Sequence, residues 1–141
     1  MNAQTIHPAV PQRRTGRSIV AVLLGLLSVM LLSTVTDVIL HASGVFPAWF
    51  QPMSTGLWLL ALGYRAVYTV LGGYLCARLA PYRPMAHVWA LGLIGTVFGI
   101  AGVVATWGRG PEFGPAWYAI LVALTGLPSC LIGGWLYARR R

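Results

Sequence analysis

Four stretches of roughly 20 residues or more run almost without charge along the chain, separated by short segments where proline, glycine and polar residues gather. An apolar run of that length crosses the hydrocarbon of a bilayer as a helix. The pattern predicts helices over about 18–41, 55–79, 85–107 and 116–138. Proline punctuates every connection: Pro47 and Pro52 in the first, Pro81 and Pro84 in the second, Pro111 and Pro115 in the third. Such short connections make successive helices antiparallel neighbours. The expected architecture is an all-α polytopic membrane protein, an antiparallel four-transmembrane-helix bundle. Residues 1–17 lack apolar periodicity and read as a disordered basic cytoplasmic tail, and 139–141 as a basic cytoplasmic end. The tail, the first apolar run and His41-Ala42-Ser43 have the outline of a signal peptide. The run is longer than a signal core, so helix 1 is expected to stay.

Composition sharpens this picture. Of 141 residues 57% are hydrophobic and 9% charged, and the mean hydropathy is +0.73. Such values leave no place for a secreted disulfide scaffold, a cytosolic enzyme or a separate soluble ligand-binding module. All ten basic residues are arginine and the only acids are Asp37 and Glu112, giving a net charge of +8. The arginines sit in short clusters beside the apolar spans, not on a folded basic face with interleaved aromatics, which argues against nucleic acid. Arg13, Arg14, Arg17, Arg78, Arg83, Arg139, Arg140 and Arg141 fall on one side of the predicted spans, and Arg109 alone on the other. The positive-inside rule then puts both termini in the cytoplasm, with anionic headgroups as partners of the arginines at about 1 kcal/mol each. Lysine-free usage rich in Arg, Ala and Gly is that of a GC-rich bacterial genome, hence a bacterial inner membrane. Trp49, Trp58, Trp107, Trp117 and Tyr118 at the outer boundary, and Tyr82, Trp89, Trp135 and Tyr137 at the inner one, read as interfacial anchors.

Two glycine patterns concern packing. Leu71-Gly72-Gly73-Tyr74-Leu75-Cys76-Ala77-Arg78 aligns with Ile132-Gly133-Gly134-Trp135-Leu136-Tyr137-Ala138-Arg139. The match suggests two duplicated helical hairpins, although convergence on small, aromatic and basic residues at equivalent depths gives the same result. Gly92, Gly95, Gly99 and Gly102 share one face of helix 3. Helices lose no water by meeting inside lipid, so they associate through the close approach such faces permit. The glycine face serves packing within the chain or contact with another subunit.

Few polar groups lie within the spans. Thr34, Asp37 and His41 share a face of helix 1, and helix 2 carries Tyr64, Arg65, Tyr68 and Thr69. Ionisable groups inside a bilayer are costly and face the protein interior. Asp37 and Arg65 lie about 5 Å and about 12 Å below the outer ends of their helices. Their side chains lean toward each other, because side chains tilt toward a helix's N-terminus. The expectation is an intramembrane polar cluster of Asp37, His41, Arg65 and Tyr68 built on an Asp37–Arg65 ion pair. It either locks two helices in register or forms a polar binding or proton-coupled site opening outward.

Pro128 removes one backbone hydrogen bond near the middle of helix 4 and predicts a kink there. Cys76 and Cys130 read as small core residues at different depths, not as a disulfide. His7, His41 and His87 are too scattered to converge on a metal, and nothing implies a cofactor. Loop 1 around Phe46, Trp49 and Phe50 is apolar enough to lie in the interface, to cap the polar cluster as a lid, or to meet another membrane protein. Arg109 and Glu112 read as a solvated pair. The leading expectation is a non-enzymatic membrane protein acting by helix association, as a homo-oligomer or an accessory to another membrane protein. The alternative is a small-solute or ion transporter whose polar site lies in the outer half of the bundle.

Overall fold

The computed structural model describes residues 14–141. The regular elements among them are all helical: α1 (Thr15–Ala42), α2 (Thr55–Leu79), α3 (Pro84–Thr106), a 3-10 turn (Pro111–Phe113) and α4 (Ala116–Arg139). Each of the four long helices is long and apolar enough to cross a membrane. α1 begins at Thr15, so residues 15–17, assigned to the tail by composition, form its first turn. The rest of the predicted tail, with His7 and Arg13, lies outside the described residues.

The connections end the helices for local reasons. Ser43 N–H closes onto Ile39 O before Gly44 turns at φ 76°. Ala80 is held extended by the following Pro81, as a residue before proline must be. Pro84 then opens α3 at a position whose N–H would be unbonded anyway. α4 runs unbroken through Pro128, and Thr125 Oγ1 donates to Leu121 O 2.7 Å away, one turn before it.

Gly25 of α1 lies against Gly72 and Cys76 of α2, and Asp37 against Arg65, so position along α1 advances as position along α2 falls. α2 and α4 form the most extensive contact. Trp58 meets Tyr118 near one end and Tyr74 meets Tyr137 near the other, so this pair runs in the same sense. α3 returns along α4, with Gly99 on Ala123, Gly92 on Leu127 and Gly134 on Val88.

The centre is built from small residues. Cys76, Ala77, Val88, Leu91 and Cys130 form one buried cluster, flanked by buried Ala21, Gly25, Gly72, Gly73, Gly92, Gly133 and Gly134. Leu31, Val97, Phe98, Val104 and Leu124 point outward. This inverts the arrangement that water imposes on a soluble domain. Cys76 and Cys130, given different depths from sequence, share that cluster as free thiols.

The two Gly-Gly pairs are not used equivalently. In α2, Gly72 faces α1 and Gly73 faces Cys130 of α4. In α4 it is the first glycine, Gly133, that lies on Val70 and Tyr74 of α2, whereas Gly134 faces Val88 and Met85 of α3. The aligned glycines therefore face non-equivalent neighbours. The α3 glycine face is divided likewise: Gly92 and Gly99 pack on α4, and a Cβ at Gly95 or Gly102 would meet nothing within 4 Å.

Candidate functional site

α1 and α2 bring together the charged residues of the apolar spans. Arg65 Nη2 donates to Asp37 Oδ2 at 2.6 Å, and this is the only ion pair among the described residues. Tyr64, one position before Arg65, donates its hydroxyl to Asp37 Oδ1. Both carboxylate oxygens are thereby engaged from neighbouring positions of α2, an arrangement stronger than either neutral bond alone. Asp37 is 21% exposed and Arg65 32%, so neither is sealed in the protein.

Tyr68, placed in the cluster from sequence, lies beside it. Its hydroxyl bonds Thr36 Oγ1 at 2.8 Å and its ring packs 5.8 Å from Tyr64. Tyr64 takes the place on Asp37 because it stands level with Arg65 on α2, whereas Tyr68 is a turn further from it. Thr34 is exposed and takes no part in the cluster, and Thr69 Oγ1 donates back to Arg65 O.

His41 is held by loop 1. Its Nδ1 lies 2.6 Å from Pro47 O, and a carbonyl only accepts, so Nδ1 carries the proton of this bond. The ring stacks on Trp49 at 3.7 Å and meets Phe46 edge-on at 5.3 Å. Phe46 is buried, and its N–H donates to Leu40 O, folding the loop back over the end of α1. Phe50 is 74% exposed and has φ 62°, a conformation costly for a bulky residue. That backbone carries its ring to Phe113 of the third connection, 6.5 Å away.

The third connection supplies the opposite wall. Gly110-Pro111-Glu112-Phe113-Gly114-Pro115 makes one tight turn between two glycines at φ 117° and 91°. A Cβ at Gly114 would stand 2.7 Å from the Trp58 ring, so only glycine allows the turn to settle there. Glu112 lines the space beside the polar cluster, its carboxylate lying back against Gly110, where a Cβ would stand 2.6 Å from it, and it makes no hydrogen bond or ion pair among the described residues. The Arg109–Glu112 pair expected from sequence does not form, because Arg109 lies over Phe113, 5.9 Å from its ring centre.

Between these walls is a cavity of about 190 Å³, lined by Asp37, Arg65, His41 and Glu112 and by six aromatic rings, those of Phe46, Trp49, Phe50, Trp58, Phe113 and Tyr118. Cavities of about 150 Å³ admit a benzene-sized guest. Arg65 Nε is buried without a hydrogen-bond partner among the described residues, a donor left for water or a guest. Both acidic residues of the entire chain line this one space.

Sequence reasoning placed Asp37, His41 and Arg65 at one end but missed Glu112, Tyr118 and Trp58. The two aromatics were read as interfacial anchors, since periodicity cannot tell a ring facing lipid from one facing a neighbouring helix. Glu112 did have a signal: it is one of only two acids and sits between paired Gly-Pro turns. No protein-family model matches the chain, and comparisons with curated proteins and with solved structures return no match.

Proposed function

We propose that the chain is a non-enzymatic, four-span membrane protein that admits a small solute into an outward-facing recess, the entry step of a transporter. In this reading the helices form an antiparallel transmembrane bundle in a bacterial inner membrane. The arginines of both termini and of the second connection contact cytoplasmic anionic headgroups, and the Asp37–Arg65 end faces outward. The observation that carries the proposal is the cavity beside the ion pair, lined by the chain's only two carboxylates. A pair serving only to lock helices is expected to be packed over, since ionisable groups at membrane depth otherwise mark binding sites and pathways.

Trp49 and Trp58 line the recess and report on its contents. The reconstituted full chain should show a saturable change in tryptophan fluorescence with at least one of three small probes: tetramethylammonium, acetate or tert-butanol. Ala61 is buried in the recess wall, so Ala61→Leu should fill the space and abolish the response while the chain still accumulates. Absence of a saturable response to all three, or its persistence in folded Ala61→Leu, would overturn the proposal.

A second reading, association with another copy or an accessory role beside another membrane protein, draws on the edge of α3. Gly95 and Gly102 face open space there. Most of the other glycines that suggest association from sequence are occupied within the chain, so this reading ranks second.

A further inference from the structure

We propose that the recess selects a small monovalent organic cation, an alkylammonium group, held on aromatic faces with Glu112 as its counter-charge. The inference rests on the recess being a solute site and names the chemistry of its guest.

Charge and wall chemistry both lead there. Two carboxylates and one guanidinium line the space. Arg65 is neutralised within the wall by Asp37, and Asp37 already accepts from Arg65 and Tyr64. What remains is Glu112, unpaired among the described residues and lining the same space, so one carboxylate of the lining has no counter-charge. An anionic guest would meet that charge without a free cation to offset it, because Arg109 is not part of the lining and rests on Phe113. The unpartnered Arg65 Nε adds a donor for a neutral acceptor atom, and with Asp37 in place it does not call for an anion.

The walls match the same guest. A cation with a hydrocarbon surface is attracted to the faces of tryptophan, tyrosine and phenylalanine, and aromatic cages are the recurring solution for ammonium ligands. Here the rings of Trp49, Trp58, Phe113 and Tyr118 come from the first connection, α2, the third connection and α4, and line one space. Elsewhere the chain is strongly cationic, with a net charge of +8. An uncompensated acid among rings at one end is therefore a local feature set against the overall charge.

The test titrates the reconstituted full chain with tetramethylammonium chloride, sodium acetate and tert-butanol at constant ionic strength, following tryptophan fluorescence. Tetramethylammonium should saturate the signal, at concentrations at least about tenfold below those needed for tert-butanol, which has similar bulk and no charge. Glu112→Gln, on a turn outside the helices, should weaken the cation by about five- to tenfold and leave tert-butanol unchanged. Trp49→Leu, at a residue 55% exposed, should weaken it about two- to fivefold without unfolding the chain. Equal response to tert-butanol, tighter binding of acetate, or undiminished cation binding in Glu112→Gln would overturn the inference while leaving a solute site in place. Silence with all three probes would overturn the solute site as well.

Discussion

Gly133→Ala will part α2 from α4 and remove most of the folded chain from the membrane fraction. The added methyl has nowhere to go: a Cβ at Gly133 would run into Val70 O and stand 2.7 Å from Tyr74 N, and both obstacles are backbone. Gly73 presses on Cys130 in the same way, so this crossing is backbone against backbone on both sides. Backbone cannot rotate aside as a side chain can. The two helices must move apart, losing dispersion contact along the largest interface of the molecule, at a cost of about 3 kcal/mol or more. The same substitution at Gly95 meets nothing within 4 Å. There alanine should be neutral or stabilising by up to about 1 kcal/mol, through its better helix propensity. Thermal unfolding of the two purified variants in one detergent decides the matter. Equal melting temperatures would show that the close crossing is not what holds α2 to α4.

Asp37→Asn or Arg65→Gln alone will cost about 1–3 kcal/mol, because each leaves a charged or polar partner behind at a site only partly open to water. Removing both charges together, with Asp37→Leu and Arg65→Met, should restore accumulation to within about 1 kcal/mol of the natural chain, since an apolar pair of similar bulk needs no partner. The double variant separates two roles of the pair. If α1 stays on α2 while the recess loses its response to solutes, the charges serve the recess. If the double variant is as poorly folded as the singles, Tyr64 and Arg65 are needed to seat α1, and the ion pair is primarily a structural lock.

Much of the fold was legible in the sequence because one physical constraint dominates it. Backbone polar groups inside hydrocarbon must bond within their own segment, so apolar runs of this length declare helices, and proline and glycine declare their ends. The bounds of α2 coincide with the expectation, and those of α3 shift by one residue. Partner choice was much less legible. Gly72 and Gly73 look interchangeable in sequence, yet they face α1 and α4 respectively. The direction of a residue with no side chain depends on helix rotation, which apolar periodicity fixes poorly when every face is apolar. The candidate site divides along the same line. Asp37 and Arg65 stand out because charge is rare in a span, and their approach follows from helix direction. Glu112 and Tyr118 join them around one space through the fold of the third connection and the lie of α4 against α2, which no local pattern in those segments encodes.

The two thiols of the chain have a practical meaning. Cys76 and Cys130 are buried among Val88, Leu91 and the packed glycines, with less than 2% of either residue accessible. They are the only cysteines the sequence contains. The natural chain is thus already a silent background for maleimide chemistry. A cysteine introduced at exposed Ser43, or at Arg140 beyond the far end of α4, becomes the single thiol that a water-borne reagent reaches in intact cells or inverted vesicles. The sidedness inferred from arginine distribution can therefore be read directly, with no need to strip native residues from the centre that holds the helices together.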